Sequence, residues 1–97
     1  MSVIRLIHIK VKADQAAAAI AVWKKDCAPL MIKQQGCLSE KLLKCEDAPG
    51  EYISYSEWES EADIERYRKS ADHDKIRKDA RELQGAQAVV KLYSVVG

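Results

Sequence analysis

The stretch from Tyr52 to Arg77, YISYSEWESEADIERYRKSADHDKIR, constrains this chain more than any other. Its first seven residues alternate as a strand requires: Tyr52, Ser54, Ser56 and Trp58 share one face, Ile53, Tyr55 and Glu57 the other. A charged helix follows almost at once. Ser60 stands at its N-cap, ahead of Glu61, Ala62 and Asp63, and acidic residues in a first turn suit the helix dipole. This helix turns Ala62 or Ile64, then Tyr67 and Ala71, inward. The pattern falters from Ser70 to His73, and a second helix is predicted from Asp74 to Leu83, with Ile76, Ala80 and Leu83 at spacings of four and three. A strand that ends in a large aromatic and passes straight into a helix carrying another makes a corner, and a site would be built around it.

The rest of the chain supplies what packs on that corner. From Val3 to Val11 the residues alternate, with Val3, Arg5, Ile7, Ile9 and Val11 on one face and Ile4, Leu6, His8 and Lys10 on the other. Both faces of this strand are mostly apolar, so each needs a cover: helices on one side, a second sheet on the other. Asp14 is the expected N-cap of an alanine-rich helix running to about Gln35, with the inner stripe Ala16, Ile20, Trp23, Cys27, Leu30, Met31 and Gln34. Pro29 is expected to kink it and Gly36 to cap its end. Cys37 to Cys45 reads as a second strand with mixed alternation. Glu46-Asp47-Ala48-Pro49-Gly50 supplies the turn into the third strand, Tyr52 to Trp58. After a polar connection from Gln84 to Gln87 containing Gly85, the valine-rich segment Ala88 to Val96 is the last strand.

The resulting order is β-α-β-β-α-β. With one central hairpin and two crossovers, it predicts an α+β, ferredoxin-like sandwich: a four-stranded antiparallel sheet with both helices on one face. The bare face carries Ile4 and Leu6 and calls for a second copy of the sheet.

Length and charge narrow the function. Ninety-seven residues hold one domain, spanning 1–97, with enough apolar side chains for one modest core. The 16 basic and 15 acidic residues leave a net charge of +1, too little to draw nucleic acid or an anionic membrane. The segment MSVIRLIHIKVK has no long apolar run and reads neither as a signal peptide nor as a membrane span, so a cytoplasmic location is expected. Three cysteines fit reduced thiols. Cys37 and Cys45, eight strand residues apart at about 3.3 Å each, would stand roughly 26 Å from one another, too far for a bridge. No phosphate loop, nucleophile elbow or metal-ligand spacing is present, and no cofactor or metal is implied.

Glu57-Trp58-Glu59-Ser60, followed by a short helix, a break with His73 and a second helix, resembles the antibiotic biosynthesis monooxygenase (ABM) domain of the dimeric α+β barrel superfamily. The strand IRLIHIKV, the helix ending in QQGC and the PGEY hairpin fall in the same order, so the resemblance covers essentially the whole chain. It implies a homodimer whose two sheets face each other, and a pocket in each subunit between its own sheet and helices. The activities it implies are cofactor-independent oxygenation of polyketide quinols and related phenols, or heme degradation; other members have no assigned substrate. Heme-degrading relatives use an asparagine on the first strand, a tryptophan on the second-helix face and a histidine further on. Ile7 and Tyr67 stand at the first two positions, and Arg77 lies nearest the third, with His73 one turn earlier; these departures argue against heme degradation.

The expected function is therefore oxidation of a small aromatic, quinol-like molecule by O2, with a ligand-binding or stress-associated dimer that lacks chemistry as the alternative. A phenol must lose a proton before it can reduce oxygen, so a base and a dry pocket are needed. His73 is the candidate base, if its ring turns inward; between Asp72 and Asp74 it is more commonly a surface residue paired with its acidic neighbours. Tyr67 is the candidate donor to a substrate oxygen, against a core tyrosine satisfied by backbone. Trp23 and Trp58 would offer flat surfaces or simply fill the core. Arg5, beside Ile7, would steady an anion at the pocket's edge or pair with Glu57. Arg77 completes the set of pocket candidates.

Overall fold

The computed structural model describes the backbone of residues 2–84 and 89–97 and the side chains of residues 2–78 and 89–97. Four strands, β1 (Val3–Lys10), β2 (Cys37–Lys44), β3 (Glu51–Trp58) and β4 (Val89–Tyr93), form one antiparallel sheet in the order β2-β3-β1-β4. Between β1 and β2 run a short 3-10 turn (Ala13–Gln15), α1 (Ala16–Val22), a π-helical turn (Trp23–Cys27) and α2 (Ala28–Met31); α3 (Glu61–Arg68) and α4 (Ala71–Gln84) follow β3. This is the ferredoxin-like α+β arrangement that the order of periodicities predicts.

Alternation decides which face the helices cover. In β3, Ser54, Ser56 and Trp58 are buried while their neighbours are partly exposed, and β1 opposes Trp58 with Val3, Ser56 with Arg5 and Ser54 with Ile7. Met31, Trp58, Ile64 and Tyr67 make the core cluster, with Val3, Cys37 and Ile76 packed against it. A core this small leaves the other half of the inner face to polar groups.

The long first helix departs from the regular rod expected. It ends at Met31, short of Gln35, and its irregularity precedes Pro29. The amide of Ala28 reaches back five residues to the carbonyl of Trp23, and this wider turn brings Pro29 into the first turn of α2, where its missing N–H costs nothing. Asp14 makes no cap hydrogen bond; it sits inside the 3-10 turn. Gln34 leaves the predicted inner stripe, and its amide bonds the Leu30 carbonyl at 2.9 Å and Asp72 at 2.8 Å, tying the turn to α4. Gly36, at φ +86°, reverses the chain into β2 rather than capping the helix, and a Cβ there would strike the Asp63 carboxyl.

Ser60 caps α3 as expected, accepting from the Asp63 amide at 3.3 Å. The break after α3 is shorter than the sequence suggests. Ser70 donates to the Tyr67 carbonyl at 2.6 Å and accepts from the His73 amide at 3.1 Å, closing one helix and opening the next. His73 thus lies in the first turn of α4, not in the break. The last strand stops at Tyr93 instead of Val96, because Ile4, beside the start of β1, is the last residue there to pair with it. Ala80, Leu83, the Gln84–Gln87 connection and Ala88 were also assigned from sequence; their side chains, and the backbone of 85–88, lie outside the described residues.

Candidate functional site

Four of the candidates meet on the helix-covered face. The Tyr67 ring stacks on Trp58 with centroids 5.2 Å apart, and His73 meets its edge at 4.9 Å. Arg5 comes up from the sheet, its guanidinium carbon 5.9 Å from the Tyr67 centroid. Ile7 lies one strand position further along the same face, half-buried and opposite Ser54. Trp58 is fully enclosed and holds Ser56 through its indole N–H at 2.9 Å, so it backs the Tyr67 ring instead of offering an open surface.

His73 is 7% exposed, contrary to the surface placement that its acidic neighbours suggest. Asp72 accepts from Gln34 instead, and among the described residues His73 makes no ion pair. Its Nδ1 is buried without a hydrogen-bond partner among the described residues. Burial first, then the cations Arg5 and Arg77, lowers its pKa below the ordinary 6.5, against a smaller opposing effect from the Arg68 backbone. At neutral pH the ring is therefore uncharged and able to take a proton. Arg77 itself is exposed and acts on His73 from the rim.

Tyr67 is 2% exposed, and burial raises its pKa well above the usual phenol range, with Arg5 pulling the other way and Glu40, Cys27 and Cys37 adding to the rise. The proton stays on, so the hydroxyl is available as a donor; no backbone carbonyl receives it among the described residues. Arg5, 5% exposed, forms no ion pair among the described residues. The pairing with Glu57 considered from sequence fails on register, since Glu57 stands opposite Ile4 on the other face and accepts from Ser2. Trp23 is half-buried in the π-helical turn, with its indole N–H enclosed and unpartnered among the described residues. The other helix cations behave as a solvated face: Arg66 pairs with Asp63 and Arg68 with Glu65.

Sequence reasoning missed Glu40. Strand pairing sets Glu40 opposite Ser56, which stands opposite Arg5, so three polar side chains make one row across the inner sheet face. Both Glu40 carboxylate oxygens are buried without a partner among the described residues, and burial pushes its pKa up to about 7. The shift in register between Cys37 and Ser39 hides this: one extra residue puts Cys37 and Glu40, three apart, on the same face. The signal was nonetheless present, because counting back from the Pro49-Gly50 turn pairs Lys44 with Tyr52, Leu42 with Ser54 and Glu40 with Ser56.

Taken together, the site offers an uncharged base, a protonated phenol, a cation and a carboxyl that is half-protonated near neutrality, all against an aromatic wall. Such a set suits an aromatic molecule bearing oxygens that gain negative charge.

The family model for antibiotic biosynthesis monooxygenase matches residues 2–79. No curated protein matches the chain. Among solved structures, a candidate antibiotic biosynthesis monooxygenase from Nitrosomonas europaea superposes with a TM-score of 0.85 at 15% identity, covering 98% of this chain and 90% of that one. Rv0793 from Mycobacterium tuberculosis follows at 0.81 and 20%, over 100% and 97%. A variant of SnoaB, a cofactor-independent oxygenase from Streptomyces nogalater, superposes at 0.84 and 17%, over 97% and 92%. At these identities the likeness is one of fold.

Proposed function

We propose, given that this chain belongs to the antibiotic biosynthesis monooxygenase family, that it oxidises a small phenolic or quinol-like aromatic with O2 and without a cofactor. The observation that carries this reading is the buried, uncharged His73, whose Nδ1 has no partner among the described residues and whose ring meets Tyr67 beside Arg5. The substrate hydroxyl gives its proton to Nδ1. Arg5 and the Tyr67 hydroxyl stabilise the resulting phenolate, which is electron-rich enough to pass one electron to O2. Recombination of the radical pair forms a C–O bond at a ring carbon, and the protonated His73 returns its proton to the peroxide, giving a hydroperoxide and restoring the base. Loss of water from that hydroperoxide, with the carbon's hydrogen, leaves a carbonyl: one oxygen atom enters the product and the other departs as water. SnoaB, described as a cofactor-independent oxygenase, supports the reading by sharing the fold.

The outer sheet face supports a homodimer in which two sheets meet. Leu43, Ile53, His8 and Val89 form a row across it, and Leu43, Val89 and Tyr93 are exposed. Among the described residues no helix is long and apolar enough to cross a membrane. The three cysteines, none in a disulfide, suit a reducing compartment such as the cytoplasm.

Oxygen consumption by the purified protein, without added cofactor, across a panel of quinols and polyphenols tests the activity. Uptake by the native chain and its loss in His73→Ala, with the thermal midpoint nearly unchanged, is the expected result. Equal uptake in the variant removes His73 from the mechanism. No uptake with any compound from folded protein favours the non-catalytic binding protein.

A further inference from the structure

A buried carboxyl with no partner is costly to keep, because its desolvation is repaid by nothing inside the fold. Glu40 is such a group among the described residues. It stands in the same row as Ser56 and Arg5, and its charge is felt at Tyr67, as are those of Arg5, Cys27 and Cys37. His73 contacts the Tyr67 ring edge from the first turn of α4, whereas Glu40 belongs to β2 in the sheet, so the two groups reach the surroundings of Tyr67 from different elements.

We propose that Glu40 is a further substrate-contacting residue, hydrogen-bonding a second oxygen of the ligand while His73 takes the first, so that the site selects aromatic diols and hydroxy-ketones over simple monophenols. This rests on the cluster being the aromatic-ligand site, and not on the oxidation itself. A carboxyl protonated up to about pH 7 serves either partner: it donates to a carbonyl and, once ionised, accepts from a hydroxyl. Among the described residues, the titratable groups that face it are Cys37 on its own strand, Tyr67 on α3 and, beyond Ser56 in the same row, Arg5 on β1. β3 brings Tyr52, Ser54, Ser56 and Trp58 to this face, and α2 brings no titratable group. The Cys37 thiol, raised to about 11 by burial, stays protonated throughout the neutral range.

The test is equilibrium binding under nitrogen, followed by tryptophan fluorescence, of 1,4-dihydroxynaphthalene against 1-naphthol. The native protein should bind the diol about tenfold more tightly, the worth of one good hydrogen bond. Glu40→Leu should erase that preference while raising the thermal midpoint by about 4 °C or more, because an apolar side chain relieves the unpaired carboxyl. Glu40→Gln should retain most of the preference and lose its pH dependence near 7. A Leu variant that keeps the preference, a native protein that binds neither probe or both equally, or a Leu variant with a lowered midpoint overturns the proposal. A diol preference without oxygen uptake leaves Glu40 in place and sinks only the oxidation.

Discussion

Burial acts on two titratable side chains in this site with opposite sign. His73 is held below 6.5 and Glu40 is raised to about 7, so near pH 7 an uncharged base and a protonated acid coexist. Activity through His73 requires the neutral ring. In Glu40→Gln, where the neighbouring carboxyl no longer titrates, the rate at low substrate should therefore be level above pH 6.5 and fall on an acid limb displaced below 6.5, which a kcat/KM profile reads; a limb above 6.5 would contradict the burial. The same shifts govern stability. The depressed His73 makes folding less favourable as pH falls from 6.5 through its folded value, because the unfolded chain takes up the proton first. The raised Glu40 does the reverse: its contribution is fully present below about 4.5 and is lost as pH rises through about 7. Glu40→Leu should thus gain stability over the native chain steadily between those values and hold the gain above them, by at most on the order of 3 kcal/mol in urea unfolding. A difference that does not change with pH would mean the carboxyl is not raised. Arg5, Tyr67 and His73 were legible as candidates because their residue types and strand or helix phase suffice. His73's burial was not, since Asp72 and Asp74 beside it look like solvated partners until Gln34 is seen to take Asp72.

At the scale of elements, the site depends on how tightly β3 is joined to α3 and α3 to α4. Ser60 caps α3, and Asp63, drawn well below its usual pKa chiefly by hydrogen bonds from Arg66 and Ser60, anchors the first turn. Gly36 packs against that same carboxyl with its carbonyl accepting from the Glu59 amide at 2.8 Å, so the β2 entry and the α3 start are one joint. Gly36→Ala combines a left-handed backbone with a side chain driven into Asp63, and should lose about 2 kcal/mol or more of stability in denaturant unfolding. A loss near zero would show that the joint yields freely. Ser60→Ala removes only the cap and should cost about 1 kcal/mol. The π-helical turn is the part of this scale that periodicity could not supply. Spacings of three and four run through Trp23 and Cys27 without showing that one backbone turn is wider, and that width answers Pro29's missing N–H.

Across the whole molecule, the sheet has two faces with different tasks. The inner face carries Arg5, Glu40, Ser54, Ser56 and Trp58 beneath the helices, while the outer one carries Ile4, Leu6 and exposed apolar groups such as Leu43 and Tyr93. If two such faces meet, Leu6→Asp places a charge in the contact, opposite Tyr55 and Lys91 within its own sheet. The variant should elute as a monomer or aggregate in sizing chromatography where the native chain elutes as a dimer. An unchanged dimer would contradict the paired-sheet arrangement. The inner face is unaffected in sign by this change, so anaerobic ligand binding by a monomeric variant would show whether one subunit holds a complete site.

What the sequence determined by itself is the order of elements, the division of β1 and β3 into two faces and the α3 start at Ser60, because alternation, helical spacing and capping chemistry are local. Tertiary structure alone decided three things. It buried His73 by docking α4's first turn onto Tyr67, it brought Glu40 beside Ser56 through a one-residue shift in a strand pair, and it left the His73 Nδ1 and the Glu40 carboxylate without partners among the described residues. Burial and partnership depend on residues distant in the chain, as Gln34 is from Asp72 and Glu40 from Ser56, and no local pattern encodes how those distances close.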